Sequence, residues 1–277
     1  MNKFNEDTRV KIPATIQFLK IGYDYQSLKD DNLDLDFNTK IFINRFKPSI
    51  EKINNTKLTY DDVKSLIDEI NNLIKNNDLG KEFYNRLINP QDSLKLIDFD
   101  NIENNDFAVV DELPFSITPD TEVGSFRPDI NILINGIPLG FLEVKKPNNE
   151  GGIQKEFHRM INARLKNSEF RKYFNLIQVV SFSNNMEYED SDEAEDVKAG
   201  SFYTTPNGNN TSFSFFREDN DLYHLNYNYK EIDEDYIKYI TKDLGYDKKV
   251  CDSEEFLENL KIDKPCNSFI TSLFDKE

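Results

Sequence analysis

Residues 125–146 read S-F-R-P-D-I-N-I-L-I-N-G-I-P-L-G-F-L-E-V-K-K, and this stretch predicts two β-strands joined by a turn at Asn135-Gly136. Apolar residues dominate both strands, which is typical of a strand pair in the middle of a sheet. Asp129 begins the first strand, while Glu143 and Lys145 end the second. Unpaired charges are costly to bury, so these three residues require a partner or a function.

Two carboxylates and a lysine are the residue types that metal-assisted phosphodiester hydrolysis uses. Carboxylates are hard oxygen ligands for Mg²⁺, which retains several of its waters, and a bound metal acidifies water and neutralises phosphate charge. Glu143 and Lys145 lie two residues apart and therefore share one face of a strand. Asp129 must come from the neighbouring strand. The alternative is that Asp129 caps a turn and the other two are ordinary surface charges.

The register of the strand pair decides between these interpretations. A regular two-residue turn would place Asp129 opposite Leu142 and leave Glu143 on the other face of the sheet. The functional interpretation therefore predicts a three-residue loop or a β-bulge near residues 135–137, which would bring Asp129 opposite Glu143. Pro138 cannot donate to a strand ladder, which favours an irregularity there.

Pro128-Asp129 followed by Glu143-Val144-Lys145 resembles the PD-(D/E)xK nuclease motif, which is short and weakly specific by itself. The surrounding segment resembles the nuclease part of the restriction (R) subunit of type I restriction–modification enzymes. This resemblance touches most of the chain. Its further segments are F-N-E-D-T-R-V (4–10), L-I-D-F-D-N-I-E-N-N-D-F-A-V-V-D-E (96–112), F-S-N-N-M-E-Y (182–188), G-S-F-Y-T-T (200–205) and P-C-N-S-F-I-T-S-L-F (265–274).

The resemblance implies an α/β fold with a PD-(D/E)xK restriction-endonuclease-like core, in which helices flank a central mixed β-sheet. It also implies an N-terminal extension packed on the core over residues 1–78, a nuclease core over 79–220, and a C-terminal helical extension or linker over 221–277. That linker would lead toward an ATP-dependent motor domain. We expect this chain to be a fragment or an isolated nuclease domain, because it stops where the motor would begin.

By the same resemblance, Asp129 and Glu143 would hold Mg²⁺ together with the backbone carbonyl of Val144, and Mn²⁺ is expected to substitute. Lys145 would support the nucleophile or the transition state. The sequence has no G-x-x-x-x-G-K-[ST] segment. We therefore expect ATP to serve only the motor domain.

Hydrophobic periodicity predicts the other elements, and the order strand, strand, helix, strand around the motif is typical of an α/β nuclease core. A first helix follows Ile12-Pro13 and ends at Gly22. Further helices are expected over 58–76, 79–87, 153–165, 236–244, 253–260 and after Pro265, and further strands over 93–99, 107–115, 176–182, 201–204 and 212–216.

Glu82, on the helix predicted over 79–87, is a candidate auxiliary residue. Nucleases of this fold often carry an acidic residue on the helix before the first core strand. The alternative, an exposed helix charge, is the commoner situation for glutamate.

The helix after the motif offers further candidates. Some type I R subunits carry a Gln-xxx-Tyr element there, but the equivalent positions in this chain are Arg159 and Ala163. Gln154 with His158 is the substitute that we consider. Arg159 and Arg164 could contact a phosphate, and the alternative for all of them is an exposed polar helix face.

Composition limits the function classes. The chain has 34 Lys and Arg against 51 Asp and Glu, a net charge of −17, which opposes DNA binding by the chain alone. Two cysteines are too few for a disulfide framework, and with two histidines they argue against a structural zinc site. No apolar run has membrane-spanning length, so we expect a cytoplasmic protein without membrane partners. The many Asn residues are typical of an AT-rich genome.

The function expected from the resemblance is a Mg²⁺-dependent endonuclease domain of a type I restriction enzyme. It would cleave unmodified foreign double-stranded DNA when the motor and the methyltransferase (M) and specificity (S) subunits present it. One alternative is a non-catalytic, nuclease-like docking domain of the same complex. Another is a nuclease of the same fold that acts on junctions or single strands.

Overall fold

A computed structural model of the chain describes residues 5–90, 93–115, 126–147, 159–188, 199–206, 213–217 and 223–276. Within these residues the fold is a mixed β-sheet flanked by helices, as expected. The helices are Ile12–Lys20 (α1), Ile43–Ile53 (α2), Tyr60–Leu73 (α3), Lys81–Ile88 (α4), Arg171–Leu176 (α5), Tyr223–Asn226 (α6), Glu234–Asp243 (α7), Lys248–Cys251 (α8), Glu254–Asn259 (α9) and Pro265–Phe274 (α10). Asp7–Lys11 and Met160–Arg164 form π-helical turns, and Ile102–Asn104 and Ser168–Phe170 form 3₁₀ turns.

The strands follow one another across the sheet in chain order. They are Asp24–Tyr25 (β1), Phe107–Asp111 (β2), Ile130–Ile134 (β3), Ile137–Val144 (β4), Val179–Ser183 (β5), Ser201–Thr204 (β6) and Ser214–Phe215 (β7). The β1–β2 and β4–β5 pairs are parallel, and the other neighbours are antiparallel. β5, which falls in the strand predicted over 176–182, therefore lies next to the motif hairpin.

Helices cover both faces of the sheet. α1, α7 and α10 pack on one face, where the buried sheet residues are Val109, Ile130, Ile132, Leu142 and Val144. α5 and an aromatic cluster cover the other face near the end of β4, with Phe126, Phe141, Tyr173, Phe174 and Phe182 buried together. α2, α3 and α4 form a third cluster around the start of β4. In the described residues, no helix combines the length and apolarity needed to cross a membrane.

A β-bulge sets the register of β3 and β4. The turn itself has two residues, because Ile134 pairs with Ile137, and Asn135 and Gly136 have φ angles of 53° and 75°, as a type I′ turn requires. The register then shifts, since Leu133 pairs with Pro138 and Ile132 pairs with Gly140. Leu139 is thus the extra residue of the bulge. The predicted irregularity exists, but it lies at Leu139 and not within the turn.

The prediction of a strand over residues 93–99 is wrong, because this segment runs as bends and irregular backbone. Asparagine side chains bind its backbone where a neighbouring strand would otherwise do so. Asn54 donates to the Lys95 carbonyl and accepts from its N–H at 2.9 and 2.8 Å. Asn105 does the same for Asp98 at 2.8 and 2.9 Å, and Asn135 donates to the Leu96 carbonyl at 2.8 Å.

Other predicted bounds shift by smaller amounts. The strand expected over 107–115 ends at Asp111, and the one expected over 176–182 begins at Val179 because α5 extends to Leu176. Of the helix expected over 153–165, residues 153–158 lie outside the described residues, and the rest includes the π-helical turn Met160–Arg164. Both predicted extensions contribute to the core: β1 joins the sheet, and Gln17 of α1 donates to Thr271 of α10 at 2.8 Å.

Gly136→Ala is expected to destabilise the fold by at least about 2 kcal/mol, because a Cβ there would combine backbone strain with a clash. It would lie 2.6 Å from the Phe42 carbonyl oxygen and 2.8 Å from the Phe46 nitrogen, both at the start of α2. Urea denaturation would measure the loss in the free energy of unfolding.

Gly245→Ala is the matched control. Its φ of 89° is equally unfavourable for alanine, but a Cβ there would have no neighbour within 4 Å. We expect a loss of about 1 kcal/mol from the backbone alone. Equal losses for the two variants would show that docking of the turn on α2 does not constrain the hairpin.

Candidate active site

The bulge brings Asp129 and Glu143 to the same face of the sheet. Because Ile130 pairs with Leu142, the continuing register places Asp129, one residue before β3, opposite Glu143. The Asp129 Oδ2 atom also accepts a hydrogen bond from the Val144 N–H at 2.9 Å. Burial raises the pKa of Asp129, although the Lys145 ammonium and the Val144 N–H favour its charged form.

The Lys145 ammonium lies between the two carboxylates. Its Nζ atom is 3.8 Å from Asp129 Oδ2 and 3.7 Å from Glu143 Oε1, and it donates to the Val144 carbonyl oxygen at 2.8 Å. The backbone N–H of Lys145 donates to the Ser183 carbonyl at 2.8 Å, which continues the ladder between β4 and β5. The structure therefore brings together all four groups predicted for the centre of the site, including the Val144 carbonyl.

Glu6 is an acidic residue at this site that the sequence analysis did not single out. Its Oε1 atom is 3.4 Å from Lys145 Nζ, and its Oε2 atom is 3.4 Å from the Lys146 backbone nitrogen, which donates to it. Glu6 immediately precedes the π-helical turn Asp7–Lys11. The available signal was its place in the family-like segment 4–10, but a contact across 139 positions has no local sequence pattern.

Glu82, the predicted auxiliary acid, lies elsewhere. It is exposed on α4, where its carboxylate accepts a hydrogen bond from Asn76, and it lines a surface depression together with Glu69 and Arg86. The structure gives it no contact with Asp129, Glu143 or Lys145. The acidic side chain that an N-terminal helical segment brings to Lys145 is Glu6 and not the predicted Glu82.

Arg164 approaches Glu143 from the helical segment after the motif. Its Nη1 atom is 3.8 Å from Glu143 Oε1, and its guanidinium lies 4.2 Å from the centre of the Phe126 ring. It is only 6% exposed, so its position is that of a buried counter-charge. Arg159 is exposed at the start of the same segment. Gln154 and His158 lie outside the described residues.

A second buried polar cluster borders Asp129 on the other face of the sheet. The Thr15 hydroxyl lies within hydrogen-bond distance of both carboxyl oxygens of Asp111, at 3.0 and 3.1 Å. Lys11 pairs with Asp7 at 2.7 Å and with Glu112 at 2.6 Å. This cluster holds the π-helical turn that follows Glu6 against the end of β2.

The pKa values in this second cluster follow from burial and from Lys11. Burial raises the pKa of Asp111 to about 8, the Lys11 charge opposes this rise, and Glu112 and Asp129 add to it. Burial alone would lower the pKa of Lys11, but its bonds to Asp7 and Glu112 raise it. The lysine therefore stays charged and compensates its acidic neighbours.

The donor set at Lys145 fits a hard divalent cation. Asp129 and Glu143 offer carboxylate oxygens and Val144 a carbonyl oxygen, a number and type of ligand that suit Mg²⁺ with retained waters. Four oxygens already surround one positive charge, the Lys145 ammonium. Among the described residues, no three Asp, Glu, His or Cys side chains form a ready-made metal cluster.

Comparisons with known proteins agree with the resemblance noted in the sequence. The family model described as "Type I restriction enzyme R protein N terminus" matches residues 3–193. A protein of Methanocaldococcus jannaschii, named "Putative type I restriction enzyme MjaIXP endonuclease subunit", is 30% identical over 207 residues. That match covers 67% of this chain but 19% of the relative, so the chain spans about a fifth of the relative's length.

Asp111→Asn is expected to change how stability depends on pH. The folded chain keeps the Asp111 proton up to about pH 8, whereas an unperturbed aspartate releases it near pH 3.8. Between these values the unfolded state binds fewer protons, so the wild type loses stability as pH rises. From pH 5 to pH 8, the free energy of unfolding of the wild type should therefore fall relative to that of the variant. Urea denaturation at each pH measures both values.

Asp98→Asn is the control. Hydrogen bonds from Asn104 and from the backbone N–H groups of Asn101 and Asp100 outweigh the effect of burial and lower the pKa of Asp98. The stabilising contribution of Asp98 is present above the ordinary pKa of aspartate and is lost only at lower pH. The difference in unfolding free energy between the wild type and Asp98→Asn should therefore stay constant from pH 5 to pH 8. A constant difference for Asp111→Asn as well would show that Asp111 is ionised in the folded chain at neutral pH.

Proposed function

Because the chain belongs to the family of the type I restriction enzyme R protein N terminus, we propose that it is the Mg²⁺-dependent endonuclease domain of such an enzyme. The observation that carries this proposal is the bulge at Leu139, which brings Asp129 and Glu143 to one face of the sheet beside Lys145.

Each residue has a role in the proposed reaction. Asp129 and Glu143 would hold the divalent cation together with the Val144 carbonyl, and the Val144 N–H fixes the orientation of Asp129. When bound, the cation would acidify a water and offset the charge of the phosphate. Lys145 would stabilise the negative charge that develops on the phosphate. Arg164 positions Glu143 through its charge.

The proposed substrate is double-stranded DNA, and the proposed partners are a motor domain and the M and S subunits. The net charge of −17 supports a division of labour. Phosphate contacts need Lys and Arg, so the partners would supply most of the DNA affinity and this chain would supply the cleavage site.

A non-catalytic docking domain is the second candidate. One observation favours it, an open apolar depression of about 400 Å³ with half-exposed aromatic and aliphatic side chains on its rim. Tyr84 is 50% exposed, Phe99 53% and Ile88 47%. Exposed apolar groups that line one depression are typical of an interaction surface.

Asp129→Asn and Glu143→Gln test the two candidates in the assembled enzyme, with M and S subunits, ATP and Mg²⁺. Each variant keeps the side-chain shape but removes a charged ligand, so we expect DNA cleavage to fall by at least about 100-fold. ATP hydrolysis should persist, because the motor is a separate domain.

Glu82→Gln is the matched control and should cleave DNA at the wild-type rate, since Glu82 is exposed on α4. Full cleavage by Glu143→Gln would exclude the catalytic proposal and favour the docking domain. Loss of cleavage in Glu82→Gln would mean that α4 contributes to the site after all.

The isolated chain should cleave DNA poorly at physiological salt. Its net charge of −17 repels the phosphate backbone, and no partner is present to offset this repulsion. Plasmid nicking, followed on gels against protein concentration, measures this. Efficient cleavage by the fragment alone at sub-micromolar concentration would contradict the proposed division of labour.

A further inference from the structure

We propose that the Lys145 ammonium holds the cation position between Glu6, Asp129 and Glu143, and that a divalent metal binds only by displacing it. Lys145 would then act as an internal competitor that weakens metal affinity. This inference rests on the proposed function and adds a control on when its metal site fills.

The first argument is the position of the Lys145 Nζ atom. It contacts carboxylates from three separate segments, at 3.4, 3.7 and 3.8 Å, and a backbone carbonyl at 2.8 Å. Charge-assisted N–H···O bonds have an optimum near 2.7–2.9 Å. The ammonium therefore hydrogen-bonds to the Val144 carbonyl and lies within ion-pair distance of all three carboxylates, in the space that a metal ligated by Asp129, Glu143 and the Val144 carbonyl would need.

The second argument is burial. The side chains of Glu143, Lys145 and Asp129 are 7%, 16% and 18% exposed, so water can do little to separate their charges. Like charges repel strongly at such separations when solvent is excluded. An ammonium and a divalent metal cannot both occupy the space between Asp129 and Glu143.

The third argument is that Lys145 can move without moving the strand. Its backbone N–H is held by the Ser183 carbonyl, which fixes the end of β4. The ammonium itself sits on a flexible four-carbon stem. Displacement therefore requires side-chain rotation only, and the carboxylates remain in place for the metal.

Lys145→Met tests this competition without any DNA or cleavage assay. Methionine keeps much of the side-chain length and removes the charge. Mn²⁺ binding to the full chain, followed by the electron paramagnetic resonance signal of free Mn²⁺ at pH 7.5, should become at least about fivefold tighter, because the metal no longer has to displace a positive charge.

Lys146→Met is the matched control, because it makes the same change in net charge one residue away. Only the backbone N–H of Lys146 contacts Glu6, so Mn²⁺ affinity should stay near the wild-type value. If Lys145→Met binds Mn²⁺ no more tightly than Lys146→Met, the competition does not exist. If no variant binds Mn²⁺ at millimolar concentration, the proposed metal site fails as well.

A measurement on the wild type covers the case in which Lys145→Met does not fold. A displaced ammonium becomes more accessible, so Mn²⁺ should speed reductive methylation of Lys145, followed by mass spectrometry of its peptide. Lys146 in the same peptide serves as the internal reference. An unchanged or slower rate at Lys145, relative to Lys146, would overturn the proposal.

Discussion

Side chains alternate between the two faces of a β-strand, so one added residue reverses the face of every position beyond it. In this hairpin the regular two-residue turn alone would place Asp129 and Glu143 on opposite faces of the sheet. The extra residue Leu139 shifts the register by one and brings both to the same face. The neighbours of Leu139 suit a bulge: Pro138 lacks a backbone donor, and a Cβ on Gly140 would come within 3.3 Å of the Val179 carbonyl oxygen. The candidate active site depends on this single residue.

Bringing carboxylates together creates an electrostatic cost that the surrounding residues must offset. Cations from three different segments do so at this end of the sheet: the partly exposed Lys145 after β4, and the buried Arg164 after the motif and Lys11 before α1. Buried ion pairs seldom add stability over apolar packing. Their concentration here, in a chain with a net charge of −17, therefore favours a functional reason for gathering acidic side chains at this end of the sheet.

The sequence predicted the features that depend on local patterns. Periodicity located the motif hairpin and α3, whose N-terminal Thr59 accepts a hydrogen bond from the Asp62 N–H. Because side chains alternate along a strand, placing Asp129 and Glu143 on one face required a bulge or an odd-length loop. No local sequence rule placed that bulge at Leu139. The prediction of a strand over 93–99 is wrong for a different reason, because asparagine side chains bind its backbone, two of them from 41 and 39 residues away.

Those asparagines also show where composition misleads. Their abundance is typical of an AT-rich genome, yet Asn54, Asn105 and Asn135 hold a backbone segment that would otherwise need a neighbouring strand. Asn135 is fully buried, and its side chain bonds to Asn105 and to the Asp106 N–H as well. Asn135 therefore forms part of the turn and also hydrogen-bonds to the segment before β2.

Glu6 could not be predicted, because its position is set by the far end of the chain. Asn5 donates to the Tyr246 hydroxyl at 2.6 Å, the same hydroxyl donates to Asp7, and Arg9 pairs with Glu255 at 2.5 Å. The contacts that flank Glu6 thus lie on the segment from α7 to α9. A C-terminal region that the sequence presents as an extension therefore helps to hold an acidic side chain beside Lys145, and truncating it would disturb the site as well as the fold.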